Sequence, residues 1–178
     1  MAVYTKINKK DISYINKKFE IEKIINFKGI KQGIENTNYL LKSKNKKFIL
    51  TIFEKRVFQK EIPFFMKLMD QLSNSKINCP KPQKNKNGNY LIRIKNKSAC
   101  IVSFLYGKDK KSLNLKNCRD IGKMIAEMHL STKKMNLFRR NSMSVRYLSP
   151  LLNSIKFKSK KFNNIEKFLK TNLKDIKM

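Results

Sequence analysis

Histidine occurs once, at His129, and cysteine three times, at Cys79, Cys100 and Cys118, with no C-x-x-C pair. Scattered thiols of odd number exclude a disulfide framework and a zinc-ligand spacing, so the cysteines read as reduced core residues. A single histidine leaves no basis for a histidine-rich metal cluster or a Ser-His-Asp arrangement, and a metal would have to arrive with a nucleotide. Long hydrophobic runs are missing too. The longest nearly apolar stretch, residues 99–106, is far short of the ~20 residues that cross a bilayer. Residues 1–11, MAVYTKINKKD, have neither an apolar core nor a small-residue cleavage pattern, so no secretory signal is expected and the protein is expected in the cytoplasm, off the membrane.

Acidic residues are scarce. Twelve Asp and Glu face 42 Lys and Arg, a net charge of +30, enough to draw any polyanion at low salt. The lysines, however, are spread along the whole chain beside many Asn and Ile, as an AT-rich coding sequence would produce, and form neither one stripe nor a basic tail. A solvated basic surface is the expected reading and nucleic acid an unlikely partner. The alternative is a module that holds RNA or another polyanion by charge alone.

The 178 residues suffice for one domain, or for a small lobe and the start of a second, with a sizeable core. Ile12, Ile15 and Phe19 recur at helical spacing over residues 9–20. Strand patterns follow at 23–28, 37–42 and 48–53, the last two joined by a polar turn, which predicts a three-stranded meander. Residues 60–73 align Phe64, Phe65, Leu68, Met69 and Leu72 on one helical face, with Pro63 in the first turn. After the extended segment Cys79-Pro-Lys-Pro, Asn87-Gly88 predicts a hairpin turn, and strands fit at 90–94 and 98–104. Residues 114–132, capped by Asn114, keep Leu115, Cys118, Ile121, Ile125 and Met128 in helical register, and Gly122 within them implies close helix packing. A last helix is expected over 162–176. No internal repeat or long linker interrupts the series.

Within residues 27–56, Gly29 and Gly33 lie four apart in the turn after the first strand. Glycines there let the backbone fold tightly and turn its N–H groups toward phosphate oxygens. Asn36 and Asn38 read equally well as phosphate-side groups or as turn and strand-edge polar residues. His129, at a helix end, is expected to satisfy local hydrogen bonds.

A strand meander with glycines in its first turn, a covering helix, two more strands, then FLYG before a helix ending in MIAEMH resembles the order of the aminoglycoside-phosphotransferase-like kinases, within the protein-kinase-like superfamily. The strings MAVYTKI, FKGIKQGIENTNYLL, KFILTIFEKRV, IPFFMKLMDQL, CPKP and IVSFLYG are similar to those of the second type of bacterial homoserine kinase. The resemblance implies an α+β fold: a kinase-like N-terminal lobe over residues 1–106, with a five-stranded antiparallel sheet plus helix, then the first helices of an incomplete helical lobe over 107–178. It implies transfer of the γ-phosphoryl group of ATP, with Mg2+, to the hydroxyl of L-homoserine in threonine biosynthesis. It places Gly29, Ile30, Gly33, Asn36 and Asn38 over the phosphates, and Ser103, Phe104 and Leu105 at the adenine hinge. Thr51 stands in the third-strand slot where related kinases carry a phosphate-binding lysine. The nearest cations in sequence are Lys55 and Arg56, and Glu61 is the residue such a cation would pair with. The sequence holds no His-x-Asp-x-x-x-x-Asn run, so the catalytic loop and the later metal-binding Asp are expected beyond it. The 178 residues alone are expected to be inactive: a truncated form, or one half of a split kinase completed by a second chain.

Overall fold

The computed structural model describes residues 3–54, 58–75, 77–107, 110–141, 150, 167 and 171. By contact density the chain divides into two compact units, residues 1–137 and 138–178. The expected helix over 162–176 lies outside the described residues, apart from the helical Lys167 and Thr171.

The first unit opens with helix α1, Lys9–Lys18, started by a capping box in which the Asn8 side chain accepts from the Lys10 and Asp11 N–H groups and Asp11 accepts from the Asn8 N–H. It stops two residues short of the expected end because Phe19 turns to extended φ and pairs in an antiparallel bridge with Asn85. Strand β1, Asn26–Gly29, begins three residues later than its hydrophobic pattern predicts. The cause is Asn16, whose side-chain amide donates to the Ile24 carbonyl and accepts from the Ile24 N–H, so that Ile24 is bonded to α1 instead of to a neighbouring strand.

β2 (Thr37–Lys42), β3 (Lys47–Ile52), β4 (Leu91–Ile94) and β5 (Lys97–Ser103) complete a five-stranded antiparallel sheet in the order β1-β2-β3-β5-β4. Helix α2, Ile62–Asn74, follows a 3₁₀ turn at Gln59–Glu61 and carries Pro63 in its first turn, where the missing N–H has no intrahelical partner to lose. Asn87-Gly88 does turn the chain, the Asn85 N–H donating to the Asn89 carbonyl at 2.8 Å. The β4–β5 hairpin itself closes on Lys95 and Asn96, at φ 48° and 63°, the pair of left-handed residues a two-residue type I′ turn requires.

Because side chains alternate across a strand, the sheet has two unlike faces. Thr37, Tyr39 and Leu41 pair in register with Ile52, Leu50 and Phe48 and share one face with Ile101 and Ala99. This face buries Ile12 and Ile15 of α1, and Phe19 just after it, in the main core. The other face presents Asn38 and Leu40, Thr51 and Ile49, Cys100 and Val102. Its β3–β5–β4 half is covered by Ile62, Met66 and Met69 of α2.

Helix α3, Leu115–Lys133, begins on the expected cap: the Asn114 side chain accepts from the Asn117 N–H and Asn117 returns the bond. Two expectations fail on it. None of its residues is buried, so Cys118 is exposed and not a core thiol. A Cβ on Gly122 would meet no described atom within 4 Å, so close helix packing is not what glycine serves there.

Candidate functional site

The β1–β2 connection runs over residues 30–36, with residues 31–35 exposed. Ile30 extends the strand pairing by one bond, its N–H donating to the Asn38 carbonyl at 2.9 Å. Gly33 has φ +114°, a conformation side chains rarely adopt, so glycine is required by the turn itself. Gly29 is needed for a different reason. A Cβ there would come 3.0 Å from Val3 Cγ2 and 3.5 Å from Tyr39 Cε1, on the α1 face of the sheet. Its small size admits Val3.

At the β2 start, parity sends neighbouring residues to opposite sides. Thr37 faces α1, while Asn38 faces the α2 side beside Thr51, whose hydroxyl donates to Asn38 Oδ1 at 2.8 Å. One residue earlier, Asn36 Oδ1 accepts from the Glu54 N–H at 3.3 Å. Moving along the α2 face from this polar pair, half-buried Leu40 and Ile49 sit side by side in register, with exposed Lys28 of β1 next to Leu40. Sequence reasoning missed Leu40 and Ile49; the signal was the alternation of β2 and β3 itself. Leu40 and Lys28 lie beyond the residues that α2 covers, whereas Ile49 packs against the edge of the α2 cluster.

Ser103, Phe104 and Leu105 lie at the opposite end, about five strand residues or ~17 Å from the β1–β2 turn. The Ser103 N–H donates to the Lys81 carbonyl at 2.9 Å and the Phe104 N–H to the Lys47 carbonyl at 3.3 Å. Two of the three hinge N–H groups are thus committed, which leaves Leu105, 39% exposed, as the better placed to offer backbone groups. The Phe104 and Tyr106 rings meet edge to face at 5.0 Å, and Lys47 Nζ lies 5.6 Å and 5.2 Å from them.

The strongest polar cluster is on the other face. Lys97 Nζ pairs with Glu54 Oε2 and donates to Thr5 Oγ1 at 2.7 Å, while the Thr5 and Thr37 hydroxyls each donate to Glu54 Oε1 at 2.7 Å. Burial by itself raises the Glu54 pKa, but the hydrogen bonds from Lys97, Thr5 and Thr37 and the Lys97 charge outweigh it and hold the carboxyl below its usual value. Lys97 lies on the opposite side of the sheet from Thr51, so it is not the missing phosphate cation. Lys55 and Arg56 lie outside the described residues. Glu61 is half-buried in the 3₁₀ turn before α2. Among the described residues, no group of three or more His, Cys, Asp or Glu could hold a metal ion, and no helix is long and apolar enough to cross a membrane.

Some known proteins are similar to this chain in sequence and others in fold. A homoserine kinase of Rhodopseudomonas palustris is 36% identical over 146 residues, 82% of this chain and 45% of that protein. One of Paramagnetospirillum magneticum is 38% identical over 156 residues, 88% and 48% respectively. The chain thus spans about half the length of the curated relatives it matches. Among solved structures it superposes on a spectinomycin phosphotransferase in complex with ADP and spectinomycin, with TM-score 0.59 at 14% identity over 94% of this chain and 54% of that one. A microcompartment-associated aminopropanol kinase gives TM-score 0.61 at 15% identity over 80% and 47%. These structural likenesses establish a kinase-like fold for the five-stranded sheet and its helices. With residues 26–166 matching the phosphotransferase enzyme family, this chain belongs to that family.

Proposed function

We propose that this chain supplies the nucleotide-binding lobe, residues 1–106, and the start of the helical lobe, 107–178, of an enzyme that transfers the γ-phosphoryl group of ATP to the hydroxyl of L-homoserine, a step of threonine biosynthesis. The observation that carries the reading is the 36–38% identity to homoserine kinases over more than four-fifths of the chain. The open part of the α2 face supports it chemically. Leu40 and Ile49 offer an apolar seat for a purine, Ser103, Phe104 and Leu105 a backbone edge beside it, and the turn from Gly29 and Ile30 through Gly33 to Asn36 a cover for the phosphates. With Thr51 donating to its Oδ1, Asn38 keeps its amide N–H groups for a phosphate oxygen. Among the described residues, Lys28 is the cation on this part of the face. The strands present no carboxylate there and Glu35 stands alone in the turn, so the described residues do not make a magnesium site of their own. The single histidine, in His129-Leu-Ser, does not supply a catalytic HGD string.

Calorimetric titration of the 178-residue chain with ADP tests the reading. Saturable binding is expected, with modest loss between about 0.05 and about 0.3 M salt, weakened by Ile49→Lys. Absence of saturable binding overturns it, and a steep loss with salt identifies a charge-driven polyanion binder instead. No homoserine-dependent release of ADP from ATP is expected from these residues alone, and detecting it would refute the placing of the His-x-Asp-x-x-x-x-Asn catalytic loop outside them.

A further inference from the structure

The phosphate-side turn is held from behind. Among the described residues, two recorded hydrogen bonds reach residues 31–36 from outside the turn. The Tyr4 hydroxyl donates to the Ile34 carbonyl at 2.9 Å, and the Glu54 N–H donates to Asn36 Oδ1 at 3.3 Å. Both lead to the same cluster. The N–H groups of Tyr4 and Thr5 donate to Thr37 Oγ1 at 3.0 and 3.1 Å, and Thr37 and Thr5 in turn donate to the Glu54 carboxylate that Lys97 neutralises. Val3 completes the contact by occupying the space that Gly29 leaves. Residues 3–5 therefore touch the turn at its entry, its tip and its exit, all from the α1 face.

We propose that Tyr4 is a positioning residue for the β1–β2 turn, anchored through Thr5 and Thr37 to the Glu54–Lys97 pair, and that this rear brace sets the turn's distance from a bound nucleoside phosphate. The proposal rests on the nucleotide reading above for its functional half alone. Exposed backbone at a glycine-containing turn has many accessible conformations, and each costs entropy to exclude when a ligand binds. A hydroxyl fixed to a strand-anchored segment removes part of that freedom beforehand. Tyr4 touches no ligand position itself, because it approaches from the face opposite Asn38 and Thr51.

Backbone ¹⁵N relaxation and ADP titration of the full 178-residue Tyr4→Phe variant test this. Loss of one hydroxyl bond is expected to lower the order parameters of residues 31–36 and to weaken ADP binding roughly three- to tenfold, with the order parameters of β2 and β3 unchanged. Tyr14→Phe, on α1 and away from the turn, is expected to change neither. Thr5→Val is expected to reproduce the effect by loosening the anchor. Unchanged order parameters in residues 31–36 overturn the brace, as do lowered ones with unaltered ADP affinity. If the unsubstituted chain binds no ADP while Tyr4→Phe still frees the turn, the nucleotide reading falls and the brace stands.

Discussion

Replacing Lys97 by Met removes the cation from Glu54 while keeping most of the side chain's apolar length. The Glu54 side chain is 10% exposed and that of Lys97 37%. Breaking a fully buried pair costs about 3–5 kcal/mol, because a carboxylate is left without compensation. Lys97 is more than one-third exposed, so water already screens part of the attraction, and ~1–3 kcal/mol is the expected loss. The sign of the pH dependence follows from the depressed Glu54 pKa. A carboxyl held below its unfolded value of about 4.3 contributes stability that is present above that value and is lost as pH falls through the folded value. Urea unfolding should therefore show the full cost of Lys97→Met at pH 7 and a smaller one at an acidic pH below the lowered folded value of Glu54, where the carboxyl is protonated. Adding Glu54→Gln should recover part of the loss at pH 7 by removing the stranded charge. The net charge of +30 also favours carboxylates, but that background fades in ~0.5 M salt while a pair this close does not. A cost that is equal at both pH values, or one abolished by salt, would refute the assignment of Glu54–Lys97 as a desolvated pair.

The thiols should separate by environment: burial pushes Cys100 up to about 12, whereas Cys118 is exposed, so a disulfide reagent at pH 8 should label Cys118 rapidly and Cys100 only on unfolding. Rapid labelling of Cys100 in the folded chain would contradict its burial. At the β4–β5 turn, Asn96→Gly should be neutral or slightly stabilising and Asn96→Val should cost about 1–2 kcal/mol, since φ is 63° there; equal denaturation midpoints for the two variants would rule out the left-handed turn.

Much of the sheet was legible because alternation is a local signal: Thr37–Lys42 has the same bounds in sequence and structure, and β3 and β5 are displaced by one residue. The missed features depend on distance or on partners. Glu54 and Lys97 are separated by 43 residues, and no periodicity pairs them. Ile24 is drawn off the first strand by a single side chain, Asn16, eight residues away. The β4–β5 turn lacks a glycine, so Lys95-Asn96 gave no turn signal comparable to Asn87-Gly88. On α3, spacing correctly identified an apolar stripe and its cap, but Ile121 and Ile125 are each 41% exposed. Periodicity names the face of a helix that prefers cover; it does not provide the cover.

The candidate site shows the same distinction at single-residue scale. Thr37, Asn38, Thr51, Glu54 and Lys97 crowd one end of the sheet, and by composition any of them could face a phosphate. Parity divides them: Thr37, Glu54 and Lys97 turn toward α1 and bond one another, whereas Asn38 and Thr51 turn toward the α2 side. A slip of one residue in β2 would exchange Thr37 for Asn38, breaking the Glu54 cluster and removing the polar pair from the opposite side together. The half-buried ion pair therefore does more than add stability. It fixes the register in which Asn38 meets Thr51, and through Thr37 it fixes residues 3–5, whose Tyr4 holds the turn above that pair. The Thr51 slot has its counterpart in this division, since Lys97 serves the rear face and the front beside Asn38 and Thr51 is left to amide, hydroxyl and main-chain donors, with Lys28 two residues further along it.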